Sequence, residues 1–314
     1  MGHASDSPSM GAAEEQAFAT PARRFEATDL DLSLLPPFWA RHAADELQRL
    51  AAVEQMRGVR PRPLLGTDRL GRDLFIRLLA GGGISLLIGI SAAAIAVVIG
   101  VLYGTISAWV GGRTDAVMMR AVDVLFGLPT VLLVVLLAVA VDGLIERSGG
   151  LLSTEQRQAA GIVTLLVAIG GVSWLTMARV IRGQVLSLKE QPFMEACRAI
   201  GVPLPRQFFR HLLPNLTGPI VVYATLAVPT AILSESFLSF LGIGVREPLP
   251  SWGNLASAGL SEMNIVRSRW WLLFWPCLFI AMTLLGLNFV GENLRERLDP
   301  RGAFNSAQSR SMKN

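Results

Sequence analysis

Lysine, histidine and cysteine are all scarce in this chain of 314 residues. The only lysines are Lys189 and Lys313, and neither lies in the Gly-x-x-x-x-Gly-Lys-Ser/Thr pattern with which a P-loop holds phosphates. We therefore expect no ATP hydrolysis by this chain. The few histidines and cysteines have no zinc-ligand spacing and define no disulfide framework. They are His3, His42, His211, Cys197 and Cys277. Since no Ser-His-Asp, HExxH or paired-carboxylate pattern stands out, we predict neither a catalytic site, nor a metal site, nor a bound cofactor.

Charge is also scarce, and it is unevenly distributed. Charged residues make up 17% of the chain, against about 25% in a typical soluble domain. Five long stretches contain none, and about 20 apolar residues in a helix suffice to cross the hydrocarbon core of a bilayer. A soluble protein with buried helices would not place five such stretches between short charged loops. We predict an all-α membrane helix bundle with spans at 84–109, 121–141, 160–181, 217–241 and 270–291.

Basic residues flank these spans, and all but two of the 28 are arginine. Cytoplasmic loops carry an excess of Lys and Arg. The loop around 182–215 and the tail after residue 292 hold more of them than the alternate loops, so we place both in the cytoplasm. The pI near 9.7 is therefore explained by membrane orientation. We expect lipid, and no nucleic acid, as a partner.

The predicted spans divide the chain into four parts. Residues 1–65 form a polar N-terminal segment, which we expect to be partly disordered at its start. Residues 66–82 form an amphipathic lead-in segment, in which Thr67 and Asp68 are predicted to cap a short helix. The membrane domain covers 83–292, and 293–314 form a cytoplasmic tail.

The loop at 190–214 carries the most local information. Pro192 suits the first turn of a helix, Gly201 suits its end, and Pro203 prevents its continuation. The pattern predicts two short helices joined by a Gly-Val-Pro turn across the cytoplasmic mouth of the bundle. Taken by itself, it favours an interfacial helix resting on lipid over a docking lever. Four residues are predicted to share one face of the first helix: Phe193, Ala196, Cys197 and Ile200.

The same loop resembles the EAA loop of ABC importer membrane subunits. That pattern reads Glu-Ala-Ala, three residues, Gly, nine residues, and then a short apolar run ending in Leu-Pro. Cys197 replaces the second Ala here, and His211 takes the usual place of Ile. The residues that match the pattern in type and spacing are Glu195, Ala196, Gly201, Leu213 and Pro214.

Three further segments resemble the C-type permease subunit of dipeptide, oligopeptide and nickel importers. They read LLGTDRLGRDLFIRLLAGGGISLLIGI at 64–90, AILSESFLSFLGIGVREPLPSWGNLASAG at 231–259 and NLRERLDPR at 293–301. The resemblance is collinear over 64–301. The family usually has six spans, the first of them before the GTDxxGRD segment, whereas this chain has five predicted spans. Either the first span is absent or this N-terminus is an atypical one.

The resemblance implies the ABC transporter type-1 transmembrane fold and a multi-pass location in a bacterial or archaeal cytoplasmic membrane. It implies half of a translocation pathway for peptides or a similar small solute. The implied partners are a second permease subunit, cytosolic ABC ATPases that bind ATP and Mg, and an extracytoplasmic substrate-binding protein. Coupling to the ATPase would involve Glu195, Ala196, Cys197, Gly201, Leu213 and Pro214.

Glu235 and its neighbour Ser234 are our candidates for the translocation pathway. Ionisable groups within spans are functional candidates, and Glu235 interrupts the apolar run from Leu212 to Val245. The alternative is a hydrogen-bonded carboxylate that packs inside the bundle. If Glu235 lines the pathway, Glu235→Ala lowers uptake and leaves assembly intact.

Two other functions compete with an ATP-driven importer. A secondary transporter without an ATPase partner would need ion-coupling residues at mid-membrane and usually an internal repeat, and we find no repeat. A membrane enzyme such as an intramembrane protease would need a catalytic serine motif, and none is present.

Overall fold

Helices account for the regular secondary structure of the computed structural model, which describes residues 25–148, 153–263 and 268–298. The predicted disordered start and the tail from residue 299 onward lie outside these ranges. The chain divides into two units, residues 1–77 and 78–314. In the first unit a 3-10 turn, Leu30–Leu32, precedes helix α1, Ala44–Arg57. α1 ends at Gly58, whose positive φ of 69° suits glycine.

The segment from Thr67 to Asp73 is a loop, so the predicted helix capped by Thr67 and Asp68 is wrong. Thr67 pairs with Asp73 through an isolated bridge, and the next helix begins at Leu74. The Asp68 carboxylate instead accepts hydrogen bonds from Arg72 Nε at 2.7 Å and Arg77 Nη1 at 2.5 Å. Both arginines are buried. A buried charge is costly without a partner, which explains why the Asp68 carboxylate pairs with them.

The remaining helices follow in chain order and include all the predicted spans. They are α2 (Leu74–Val110), α3 (Gly112–Phe126), α4 (Thr130–Ser148), α5 (Thr154–Lys189), α6 (Pro192–Ala199), α7 (Leu204–Gln207), α8 (Leu213–Phe240), α9 (Trp252–Ser261) and α10 (Trp271–Leu298). A π-helical segment, Phe208–Leu212, joins α7 to α8. Within the described ranges, four helical stretches are long and apolar enough to cross a membrane alone. They contain α2, α5, α8 and α10, and they cover four of the five predicted spans.

The second predicted span, 121–141, is not a single helix. It falls on α3 and α4, which meet at an angle of 90°. The bend lies at Gly127, Leu128 and Pro129; proline disfavours helical geometry in the residue before it. Together the two helices still cross the membrane. α2 and α5 end on the same side, because Lys189 Nζ lies 2.9 Å from the Ala108 carbonyl oxygen. The chain must therefore cross once between them, and this gives five crossings.

Glycines allow the spans to approach one another closely. A Cβ atom on Gly104 of α2 would lie 2.3 Å from the carbonyl oxygen of Ala178 in α5. One on Gly253 of α9 would lie 2.1 Å from the carbonyl oxygen of Ser236 in α8. Small residues are typical of such membrane interfaces. We call the end of the bundle where residues 190–214 lie the loop end. At the opposite end, α9 packs against α8 and α10.

Candidate functional site

The loop at 190–214 forms the predicted helix and turn. Pro192 occupies the first turn of α6, where its missing N–H is tolerated. Gly201 follows with φ of 72°, a left-handed conformation that glycine adopts without a steric penalty. The N–H of Val202 then donates to the carbonyl oxygen of Cys197 at 2.9 Å. The first short helix and the turn are therefore confirmed.

The sequence predicted a second short helix that is separate from the following span. The structure shows instead that the two are continuous. α7 continues through the π segment into α8 without a break. Gln207 is buried, and its side-chain Nε2 donates to the carbonyl oxygen of Val202 at 2.6 Å. This bond braces the turn from inside. Sequence analysis missed Gln207, since a single glutamine in a polar loop gives no periodic signal.

The buried face of α6 also differs from the predicted apolar face. Met194 and Cys197 are buried, whereas Phe193 and Ile200 are 37% and 78% exposed. Helical spacing groups residues on a face but does not determine which face meets the rest of the protein. Exposed apolar side chains continue beyond the turn at Leu204 and Phe209. The loop therefore presents an apolar surface that the described residues leave uncovered.

The predicted coupling residues fall into two groups along this loop. Glu195 and Ala196 lie on the exposed side of α6, next to buried Cys197, and Gly201 forms the turn. Leu213 and Pro214 open α8 directly after the π segment. One group therefore lies on the projecting helix, and the other lies where a membrane span begins.

A cavity of about 330 Å³ lies among α2, the bent pair α3 and α4, α5 and α8. Ser234 lines it and donates from Oγ to the Thr230 carbonyl oxygen at 2.9 Å. The wall is mostly apolar, with hydroxyl groups distributed over three helices. The residues that carry them are Thr130, Ser173, Thr176, Tyr223, Thr230 and Ser234. Such a wall offers neutral hydrogen-bonding groups to a solute.

Glu235 does not line this cavity. It is fully buried, and its carboxylate accepts hydrogen bonds from Ser239 Oγ at 2.8 Å and Ser236 Oγ at 3.3 Å. The hydroxyl groups of Ser85 and Ser251 also interact with it. Glu235 thus connects α8 to α2 and to the segment before α9. These contacts match the alternative of a packed carboxylate.

An ion pair that the sequence did not single out joins α3 to α5 at the loop end. Arg182 binds Asp115 through two parallel hydrogen bonds, of 2.6 Å from Nε and 2.5 Å from Nη2. Ser107 of α2 donates to the same carboxylate at 2.5 Å. Among the described residues, no group of His, Cys, Asp or Glu side chains is arranged to hold a metal ion.

A bundle of membrane spans around a mostly apolar cavity that also carries hydroxyl groups, with a short helix projecting at one end, is an architecture that fits a membrane permease. Residues 96–303 match the family described as "Binding-protein-dependent transport system inner membrane component". The chain belongs to this family, which confirms the resemblance. It is a multi-pass inner-membrane permease subunit of an ABC importer, and not a catalytic subunit.

Curated relatives support the same assignment over most of the chain. The oligopeptide transport system permease protein OppC of Bacillus subtilis is 44% identical over 236 residues, which cover 75% of this chain and 71% of the relative. The dipeptide transport system permease protein DppC of the same organism is 39% identical over 270 residues, covering 86% and 78%. OppC of Escherichia coli (strain K12) is 42% identical and covers 75% and 72%.

Solved structures show the same fold at low sequence identity. A chain of the inward-facing MetNI methionine ABC transporter is similar with a TM-score of 0.57 at 15% identity, covering 72% of this chain and 98% of that one. A second crystal form gives 0.55 at 16% identity, with the same coverage. The predicted type-1 transmembrane fold is therefore confirmed.

Proposed function

We propose that the chain forms half of the translocation pathway of an ATP-driven importer of peptides or a similar small solute. The observation that carries this proposal is the loop at 190–214, a short helix and turn that expose an apolar surface beside the membrane spans. The names of the curated relatives, oligopeptide and dipeptide permeases, support the solute class. A second permease subunit would supply the other half, and an extracytoplasmic binding protein would deliver the solute.

Docking of a cytosolic ABC ATPase is assigned to α6. Glu195 and Ala196 are exposed and available to a partner, and Phe193 and Ile200 add apolar contact area. Cys197 instead anchors the helix against the protein. ATP and Mg would be bound by the ATPase subunits. This division of tasks requires the loop to lie in the cytoplasm, as its basic residues indicate.

The solute pathway is assigned to the cavity lined by Ser234. Its hydroxyl groups can bond the peptide groups of a solute without selecting a particular side chain, and its apolar wall accepts varied side chains. We place Glu235 behind this wall, as a group that holds α8 in position. ATP-driven closure of the ATPases would shift α6 and, through it, the spans between two arrangements.

Co-purification tests the docking assignment. The chain is expressed with its genomic neighbours, and retention of a cytosolic ATPase in detergent is measured for wild type and for Gly201→Asp. We expect the ATPase to stay with wild type and to be lost from Gly201→Asp, because a non-glycine residue strains a turn with φ of 72°. Gly58→Asp is the matched control: Gly58 ends α1 with φ of 69° and has no neighbour to clash with.

The outcomes test whether the turn at Gly201 belongs to the docking surface. Loss from Gly201→Asp but not from Gly58→Asp supports the coupling loop. Retention by both variants removes the turn from the docking surface. If no ATPase binds an intact, inserted wild-type chain, the assignment of ATPase docking to the loop at 190–214 fails.

A further inference from the structure

A charged side chain ties α6 to the preceding span. Arg198, near the end of α6, donates from Nη2 to the carbonyl oxygen of Lys189 at 2.6 Å. Lys189 is the last residue of α5. The carbonyl groups at a helix C-terminus lack intrahelical partners, and basic side chains commonly satisfy them. The position of α6 relative to the end of α5 is therefore held by a hydrogen bond as well as by the chain.

Lys189 continues this connection to another span. Its Nζ donates to the carbonyl oxygens of Ala108 at 2.9 Å and Trp109 at 3.3 Å. Both belong to the last turn of α2, where a cation is favoured by the helix dipole. An ammonium group carries three donor hydrogens, so a single side chain can bond both carbonyls. Lys189 thus joins the ends of two spans that are about 80 positions apart in the sequence.

Trp109 extends the contact to the start of α8. Its ring lies 5.4 Å from that of Phe208 in an edge-to-face arrangement. Phe208 is the first residue of the π segment. Such segments are rare, but those that occur within helices often lie at functional sites. The Lys189 ammonium also lies 5.8 Å from the centre of the Trp109 ring, within cation–π range. Lys189 therefore lies where α2, α5, α6 and the entry to α8 meet.

The packing beneath this junction is tight. The cluster below it contains fully buried residues from α2, α5 and the end of the π segment: Ala108, Ile181, Val185 and Leu212. Closely packed interiors transmit displacement rather than absorb it. A displacement of α6 should therefore also displace the spans to which α6 is bonded. Arg198 ties α6 to the end of α5, and Lys189 ties that end to α2.

We propose that Lys189 is a positioning residue for energy coupling, which makes the ends of α2 and α5 move together when an ATPase displaces α6. This inference rests on the proposed function. A lysine that merely caps a helix would affect stability and ATPase binding. A lysine that transmits movement affects the amount of solute imported for each ATP hydrolysed.

The test uses the complete importer in liposomes, with both permease subunits, the ATPases and the binding protein. Lys189→Met keeps most of the length of the side chain but removes its charge and its donors. We expect the ratio of solute imported to ATP hydrolysed to fall about fivefold, within the range by which residues between two sites change their coupling. ATPase retention in detergent is expected to stay at the wild-type level. Lys189→Arg, which keeps charge and donors, is expected to restore most of the ratio. Arg113→Met is the control, because Arg113 is an exposed basic residue at the same end of the bundle.

Two results would overturn the proposal. An unchanged ratio in Lys189→Met would show that the tie to α2 carries no coupling. A lower ratio together with lost ATPase retention, not restored by arginine, would reduce Lys189 to a structural cap. Failure of the proposed function is recognised separately, since the wild-type complex would then retain no ATPase at all, and the inference would fall with it.

Discussion

Adjacent residues on one helix have different surroundings at Ser234 and Glu235. Successive residues of an α-helix point about 100° apart, so one can line a cavity while the next packs inside the bundle. The sequence predicted both as pathway residues because it shows that a charge interrupts an apolar run, but not which way the charge points. The carboxylate of Glu235 accepts hydrogen bonds from Ser239 and Ser236 of its own helix and also interacts with Ser85 of α2 and Ser251 before α9.

Replacing Glu235 should therefore lower stability as well as uptake. Glu235→Ala leaves buried hydroxyl groups without an acceptor, and each unsatisfied polar group costs about 1–3 kcal/mol. We expect a lower unfolding temperature in detergent, with the complex still assembled. Glu235→Gln keeps the volume and one acceptor oxygen, so it should lose less. If Glu235→Ala melts like wild type while uptake is abolished, Glu235 acts in the pathway and the packing role is wrong.

In the loop at 190–214, the sequence predicted the bounds of the short helix but not which of its residues are buried. The positions of Pro192 and Gly201 in the sequence predicted where α6 begins and ends, because both act through local backbone geometry. Burial of Met194 rather than Phe193 depends on which face of α6 meets the rest of the protein, and helical spacing does not specify that face. The tie between Lys189 and Ala108 is also non-local, and no spacing rule relates residues in separate helices.

Among the elements, long charge gaps predicted four spans well, and their ends less well. Predicted spans follow the charge gaps, whereas α2 begins before Arg77 and α5 begins before Arg157. Arg77 is buried and paired with Asp68, and Arg157 is exposed, so neither charge ends the helix that carries it. Pro129 separates α3 from α4, because proline disfavours helical geometry in the residue before it. A search for uncharged stretches does not detect this break. The π segment gives no sequence signal, because its five residues, Phe208–Leu212, are too few for a periodic pattern to appear.

Close packing of α2 on α5 predicts a difference between two glycines of the same helix. Gly104→Ala would place a Cβ 2.3 Å from a backbone oxygen of α5, and overpacking costs about 1–3 kcal/mol. Gly83 has nothing within 4 Å of an added Cβ, so Gly83→Ala should be neutral or stabilising, by up to about 1 kcal/mol.

The measurement is the unfolding temperature of each variant in the same detergent. We expect a decrease for Gly104→Ala and no decrease for Gly83→Ala. Equal changes in both variants would mean that the approach of α2 to α5 is not tight in the folded protein, and would also weaken the argument that their ends move as one.

At the scale of the whole molecule, two sets of contacts place the ends of the spans. At the loop end, Lys189 joins the last turns of α2 and α5. At the opposite end, Trp252 of α9 donates from Nε1 to the carbonyl oxygen of Leu78, near the start of α2, at 3.0 Å. The chain therefore enters α2 from the end that carries α9. An odd number of crossings follows, which agrees with the five spans predicted from charge gaps.

This arrangement places α9 outside the cell if the loop at 190–214 is cytoplasmic, and thiol labelling can test both together. In a Cys197→Ala, Cys277→Ala background, single cysteines replace Ser261 at the end of α9 and Arg206 in α7, both exposed. In right-side-out vesicles, a membrane-impermeant maleimide should label Ser261→Cys at once and Arg206→Cys only after permeabilisation. Inverted vesicles should give the reverse order, because the two positions lie at opposite ends of spans about 40 Å long at 1.5 Å per residue. Labelling of both positions from one side would contradict the odd number of crossings, and labelling of Arg206→Cys alone from outside would invert the orientation that the arginines predict.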